Sequence, residues 1–211
     1  MKKCKTCKKY FNPNRPLQAV CSPQCAFALP KGKASKIIKL SHRADKKEMV
    51  EKLMTKGDYE KLLQVEINTL IREIDKYVPC ISSNRHWKKT DQAGHYLSRG
   101  AFPALRFSLW NIYSQSVSDN FYKSGNQEGF RLGLIKKFGV FPIEHIADLR
   151  VKYPVLNLSV GEINEAKKNT KECIKMVRLI RVNEGLEDVR FPIENRVKLR
   201  KDCTELIGIY K

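Results

Sequence analysis

The sequence predicts an α+β protein, mainly helical. Its parts are a small cysteine-rich module, a helical linker, a short core of two strands and a helix, and a run of C-terminal helices. Three observations carry this reading. Four of the seven cysteines fall within the first 25 residues. Apolar residues recur at helical spacing before residue 78 and again after residue 126. Between these stretches, residues 80–126 turn rich in Ser, Gly, Asn and aromatics, with strand-like pieces around Gln92–Leu97 and Ile112–Val117. The boundaries that follow are 1–30 for the module, 31–78 for the basic helical linker, 79–140 for the core and 141–211 for the C-terminal helices.

Composition narrows the class. The 211 residues carry 41 Lys+Arg against 22 Asp+Glu, a formal net charge of +19, and are 42% hydrophobic, enough for a core. No run approaches the roughly 18 apolar residues of a membrane span. The opening "MKKCKTCKKY" is charged and has no apolar h-region, so a soluble, cytoplasmic protein is expected. So large a positive excess repels itself unless a polyanion neutralises it, and nucleic acid is the first candidate. An acidic membrane suits it less, because no basic amphipathic anchor stands out, and nothing points to a small-molecule substrate. Seven cysteines, an odd number, argue against a disulfide framework.

Taken in order, "KGKASKIIKLSHRAD" reads as a linker or the start of a helix. A helical pattern runs from Lys46 to about Lys76 with a break near "TKGD", where Asp58 can cap a second helix. Leu62, Leu63, Val65, Ile67, Leu70, Ile71 and Ile74 give that helix a core-packing face. Pro79 disfavours continuation. "NQEGFRLGLIKKFG" reads as a helix stopped by Gly139, and "PIEHIADLRVKYP" as a short helix ended by Pro154. Ser159 and Glu162 have capping-box spacing before a long helix. A last helix is expected from Ile193 to about Ile207.

Cys4-x2-Cys7 and Cys21-x3-Cys25 are two thiol pairs 13 residues apart. Two such turns can supply the tetrahedral sulfur set of a structural zinc, at about 2.3 Å from the ion. Flanking lysines favour the thiolate form. So short a module buries little apolar surface, so metal binding would supply its folding free energy. A redox pair or free cysteines are the alternatives. With all four positions filled by protein, no chemistry is expected at this zinc.

His95, Asn111 and Asn120 form the second constellation. A His on one strand, an Asn on its partner and an Asn or His on a packed helix is the ββα-metal arrangement of HNH nucleases. A neutral imidazole can take a proton from water. A divalent ion, Mg or Mn, can hold a phosphate oxygen and the leaving oxygen. Asn120 would serve as a ligand, and Asn111 would fix the loop after His95. Arg99, Arg106, Lys123 and Arg131 would face phosphates. From spacing alone, His95 reads either as this base or as a hydrogen-bonded loop histidine.

The chain to about residue 180 resembles the NinG family of phage lambda-type proteins, also called Rap. The blocks are "C-x2-C…CS-x2-C", the helical stretch ending in "PCIS", "AGHY…GA…LRF…N…Q" and "N…KSGN…R…LI…G", in that order. The resemblance implies a zinc-ribbon-like module, an HNH-like core, binding to branched DNA including Holliday-type junctions, and structure-specific endonuclease activity in recombination. It also implies a second zinc-binding cysteine set, whose positions here hold Cys80, Ser83, Ser116 and Asp119. Serine is a poor zinc ligand, so a second zinc is not expected. The hairpin would then be held by packing, with Phe107, Trp110, Phe121 and Phe130 as candidates. Many HNH sites carry a metal-binding residue directly before the base, where this chain has Gly94; Asp91 is the nearest carboxylate and a candidate ligand. A branched-DNA-binding protein with eroded chemistry and an RNA-associated zinc protein are the rival readings. A four-way junction is near two-fold symmetric, which suits a homodimer, though no motif specifies one.

Overall fold

The computed structural model describes residues 1–28 and 53–210, with isolated positions between 40 and 49. The linker expected over 31–45 and the helix start at Lys46 lie for the most part outside the described residues. The chain forms two compact units, Met1–Thr55 and Lys56–Lys211.

In the first unit, β1 (Lys2–Lys3) pairs antiparallel with β2 (Tyr10–Phe11), and a short helix α1 (Pro23–Phe27) follows.

The second unit begins with α2 (Lys56–Ile74), so the helix read as part of a linker belongs to the same body as the core. Its Leu63, Ile67, Leu70, Ile71 and Ile74 are fully buried, whereas Leu62 and Val65 face solvent. The buried stripe packs with α5 (Val160–Asn183) through Ile163, Ala166, Ile174 and Val177, and with α6 (Ile193–Ile207) through Leu199 and Ile207. The α5 start is fixed by a full capping box: Glu162 N–H donates to Ser159 Oγ at 3.2 Å, and Ser159 N–H donates to Glu162 Oε2 at 2.8 Å. Among the described residues, no helix is long and apolar enough to cross a membrane.

The hairpin is β3 (Gln92–His95) against β4 (Ile112–Gln115), antiparallel, with His95 opposite Ile112. A single π-helical turn over Ser118–Tyr122 leads into α3 (Gln127–Phe138), and α4 (Phe141–Lys152) follows. The close approach of α3 to the segment before β3 requires Gly133, because a Cβ there would lie 1.8 Å from the Ile81 carbonyl oxygen. Phe107, Trp110 and Phe130 are buried as expected of packing residues. Phe121 is not: it is 73% exposed, and the expectation that it holds the hairpin is corrected.

A buried ionic network ties α2 and α6 to β4. Asp75, just after α2, accepts from Arg200 Nη2 at 2.8 Å and from the Ser114 N–H at 3.0 Å. Arg200, fully buried on α6, also donates to the carbonyls of Leu109 at 2.6 Å and Ile112 at 3.1 Å, and its guanidinium lies over the Tyr113 ring. The charge is thus paired and both terminal guanidinium nitrogens donate, which offsets the cost of burying the ion.

Candidate functional site

The N-terminal unit brings four thiols together. The turn between β1 and β2 carries Cys4 and Cys7, closed by a Cys4 N–H bond to the Lys9 carbonyl at 2.8 Å. Ser22 caps α1 by accepting from the Cys25 N–H, and Pro23 stands in its first turn, which fixes where Cys25 projects. Thr6 Oγ1 donates to the Cys25 carbonyl at 2.8 Å and joins the two halves. The four Sγ atoms lie within 4.8 Å of one another, with Cys7–Cys21 at 3.5 Å and Cys21–Cys25 at 3.6 Å. A zinc tetrahedron with Zn–S of about 2.3 Å has sulfurs about 3.8 Å apart, so the set fits a structural ion such as zinc. Burial works against a thiolate at Cys4, but N–H groups of Cys7, Cys21 and Thr6 aimed at its sulfur bring its pKa down to about 6.

The second unit carries a cleft of about 700 Å³. His95, Arg99, Arg106 and Asn120 all line it. His95 Nε2 lies 3.0 Å from the Arg106 carbonyl oxygen. A carbonyl only accepts, so Nε2 carries the proton and Nδ1 is the basic nitrogen. Burial lowers the His95 pKa to about 4, and the positive charges of Arg99 and Arg106 add to that, so the ring is neutral at pH 7. Arg106 is itself held by Glu60 of α2 at 2.8 Å. Asn120, on the π-helical turn, donates to Gln92 Oε1 of β3 at 2.7 Å. That bond joins the turn to the strand that bears His95.

The family model described as Bacteriophage Lambda NinG protein matches residues 1–179. The chain belongs to the NinG family. It is 33% identical over 168 residues to Protein ninG of Enterobacteria phage H19B, and 32% identical over 161 residues to those of Salmonella phage P22 and Escherichia phage lambda. Each match covers 69% of this chain and 79% of the relative. No solved structure matches. Helix α6, with Arg200, lies beyond the residues that the NinG family model matches.

The other candidate residues lie in several places. Asn111 is fully buried and clamps the segment after His95: its Oδ1 accepts from the Leu97 N–H at 2.8 Å, and its Nδ2 donates to the carbonyls of Leu97 at 3.0 Å and Leu105 at 3.2 Å. Asp91 is a correction. It is buried outside the cleft, paired with the Arg85 guanidinium and accepting from the Lys88 N–H, so its carboxylate is already used. Lys123 is exposed and pairs with Asp119 at 3.2 Å, and Arg131 is exposed on α3; neither lines the cleft.

Cys80, Ser83, Ser116 and Asp119, which the resemblance aligns with a second cysteine set, do meet. Asp119 Oδ2 accepts from Ser116 Oγ at 2.7 Å and from Cys80 Sγ at 3.4 Å, and the Ser116 N–H points to Cys80 Sγ at 3.2 Å. Burial opposes the Asp119 charge, but hydrogen bonds from Ser83, Ser116, Asn126 and Cys80 outweigh it and hold the carboxyl well below the usual range. Hydrogen bonds therefore cross-link the base of the hairpin to the π-helical turn, beyond the packing expected from the sequence.

Among the cleft residues that escaped the sequence reading are Asn68 and Arg72 of α2. The signal was present: Glu60, Gln64, Asn68 and Arg72 recur every four residues, a polar stripe alongside the apolar face of the helix. Gln64 Nε2 donates to Asn68 Oδ1 at 2.9 Å along that stripe.

Proposed function

We propose that this chain binds branched DNA at the cleft and cleaves a phosphodiester bond there, in recombination, with His95 as general base. The observation that carries the reading is the meeting of a neutral imidazole and three guanidiniums, Arg72, Arg99 and Arg106, in one cleft. The arginines seat a phosphate and stabilise negative charge as it develops on the phosphoryl oxygens. His95 takes the proton of the attacking water on Nδ1, while its Nε2–H stays on the Arg106 carbonyl. A base whose pKa is about 4 is weak at neutral pH, though always in its proton-accepting form. Phosphate seated on Arg99 and Arg106 cancels their part of the depression and raises basicity when DNA is bound. Asn111 keeps the segment after His95 in place, and Asn120 offers its amide to the phosphate. The preference for branched DNA rests on the family resemblance.

The donor set does not fit a protein-held Mg²⁺ or Mn²⁺. Such hard ions take carboxylate oxygens, none of the cleft-lining residues is acidic, and Asp91 is committed to Arg85. Gly94, ahead of the base, leaves little room for a ligand: a Cβ there would lie 2.9 Å from Gln115 Cβ and meet a Gln115 amide that is held by Ser82 Oγ and the Gly125 carbonyl. Charge neutralisation therefore falls to the arginines. The same absence of acidic lining favours a second reading, that the cleft holds branched DNA without cutting it. Purified protein incubated with labelled four-way junction, linear duplex and single-stranded RNA, with and without added Mg²⁺ or Mn²⁺, tests both. Junction-selective binding with cutting supports the first reading, binding alone the second, and preference for RNA neither.

A further inference from the structure

The π-helical turn presents two side chains that the fold does not use. Phe121 is 73% exposed and Tyr122 77% exposed, their rings 5.2 Å apart and edge to face at 86°. Their neighbours in sequence are committed. Asp119 is 1% exposed in the buried cluster, and Asn120, Ser124 and Gly125 line the cleft. The turn itself is anchored, with the Gly125 N–H on the Asp119 carbonyl at 2.9 Å and the Lys123 N–H on the Ser118 carbonyl at 3.1 Å. Two adjacent aromatics are thus held out in water by a braced turn whose Asn120, Ser124 and Gly125 line the same cleft as Arg72, Arg99 and Arg106.

We propose that Phe121 and Tyr122 are a stacking platform for an unpaired nucleobase of the DNA whose phosphates the cleft arginines hold. A flat π-face beside a cationic groove is the arrangement that binds single-stranded nucleic acid without reading its sequence. A base is free to stack only where the duplex opens, as at a branch, so the platform confers preference for branched over linear DNA. The cationic surround suits a polyanion better than an apolar protein patch. The proposal rests on DNA binding as proposed above and is independent of cutting.

The test uses a four-way junction carrying 2-aminopurine beside the branch, with fluorescence read on mixing before any cutting, and a linear duplex of the same sequence as control. Wild type should quench the probe. The double variant Phe121→Ala, Tyr122→Ala should lose the quench and bind the junction roughly 10- to 100-fold more weakly, with duplex affinity within about twofold. Both rings are exposed, so the variant should melt as wild type does, and Phe121→Trp with Tyr122→Phe should retain both signals. Unchanged junction affinity and quench in the alanine variant would overturn the platform while leaving DNA binding intact. Equal weakening on junction and duplex would overturn it too. Self-association of wild type that the alanine variant loses, with DNA binding unaltered, would assign the rings to a second copy instead. A wild type that binds no DNA would sink this proposal and the function together.

Discussion

His95 sits at the junction of strand, loop and cleft, and its burial has a cost that pH exposes. In the unfolded chain an imidazole titrates near 6.5, whereas here its pKa is about 4. Between those values the unfolded state binds the extra proton, so stability falls as pH drops from about 6.5 towards 4. His95→Gln removes that titration. Chemical denaturation of the two proteins at pH 7 and pH 4.5 should show wild type losing about 2 kcal/mol more than the variant. Equal losses would mean that the ring is not depressed. The residue types that meet His95 were legible, because Arg99, Arg106 and Asn120 lie within a short span and suit phosphate. Asp91 was misjudged because a sequence displays a carboxylate but not its partner. Arg85, six positions earlier, captures it in the fold.

At the scale of elements, α2 and α6 do more than pack. One face of α2 builds the core while its polar stripe supplies Glu60 to Arg106 and places Asn68 and Arg72 in the cleft. From α6, Arg200 pins β4 through Asp75 and two carbonyls. Arg200→Met leaves Asp75 buried with only Arg196, 3.7 Å away, as its ionic partner, and should destabilise the chain by roughly 3–5 kcal/mol. Adding Asp75→Asn should recover part of that loss, since the stranded charge is gone; denaturant titration of the single and double variants measures both. The elements themselves were readable where local rules decide them, as in the capping box at Ser159 and the stop at Gly139, which has φ of 70°. The polar stripe was hidden because seven apolar residues drew the reading to one face. The convergence of Cys80, Ser83, Ser116 and Asp119 in a hydrogen-bonded cluster, and the reach of Arg200 to β4, depend on tertiary approach across long separations that no local pattern encodes.

For the whole molecule, charge and metal set the behaviour. With an excess of +19, the proposed DNA binding would be a counterion-release process. If about six phosphates are contacted, affinity should fall on the order of a thousandfold between 50 and 200 mM salt, and a flat log–log plot would assign the charge another purpose. Arg72→Ala should lower that slope by about one unit, as loss of a single phosphate contact does. The thiol set should hold one zinc per chain. Cys7→Ser should unfold the module over residues 1–28 while the helices of the second unit, with their own core, melt as before. Metal content near zero in wild type, or a shared loss of both units, would contradict that division.

In the proposed mechanism His95 cuts and the arginines hold. Single-turnover cleavage of a labelled four-way junction, run beside a binding titration for wild type and His95→Ala, tests it most directly. The variant should cut more slowly by about 10²–10⁴, with junction affinity changed by no more than a few-fold. Cleavage by His95→Ala at the wild-type rate would contradict it and leave His95 a hydrogen-bonded loop residue.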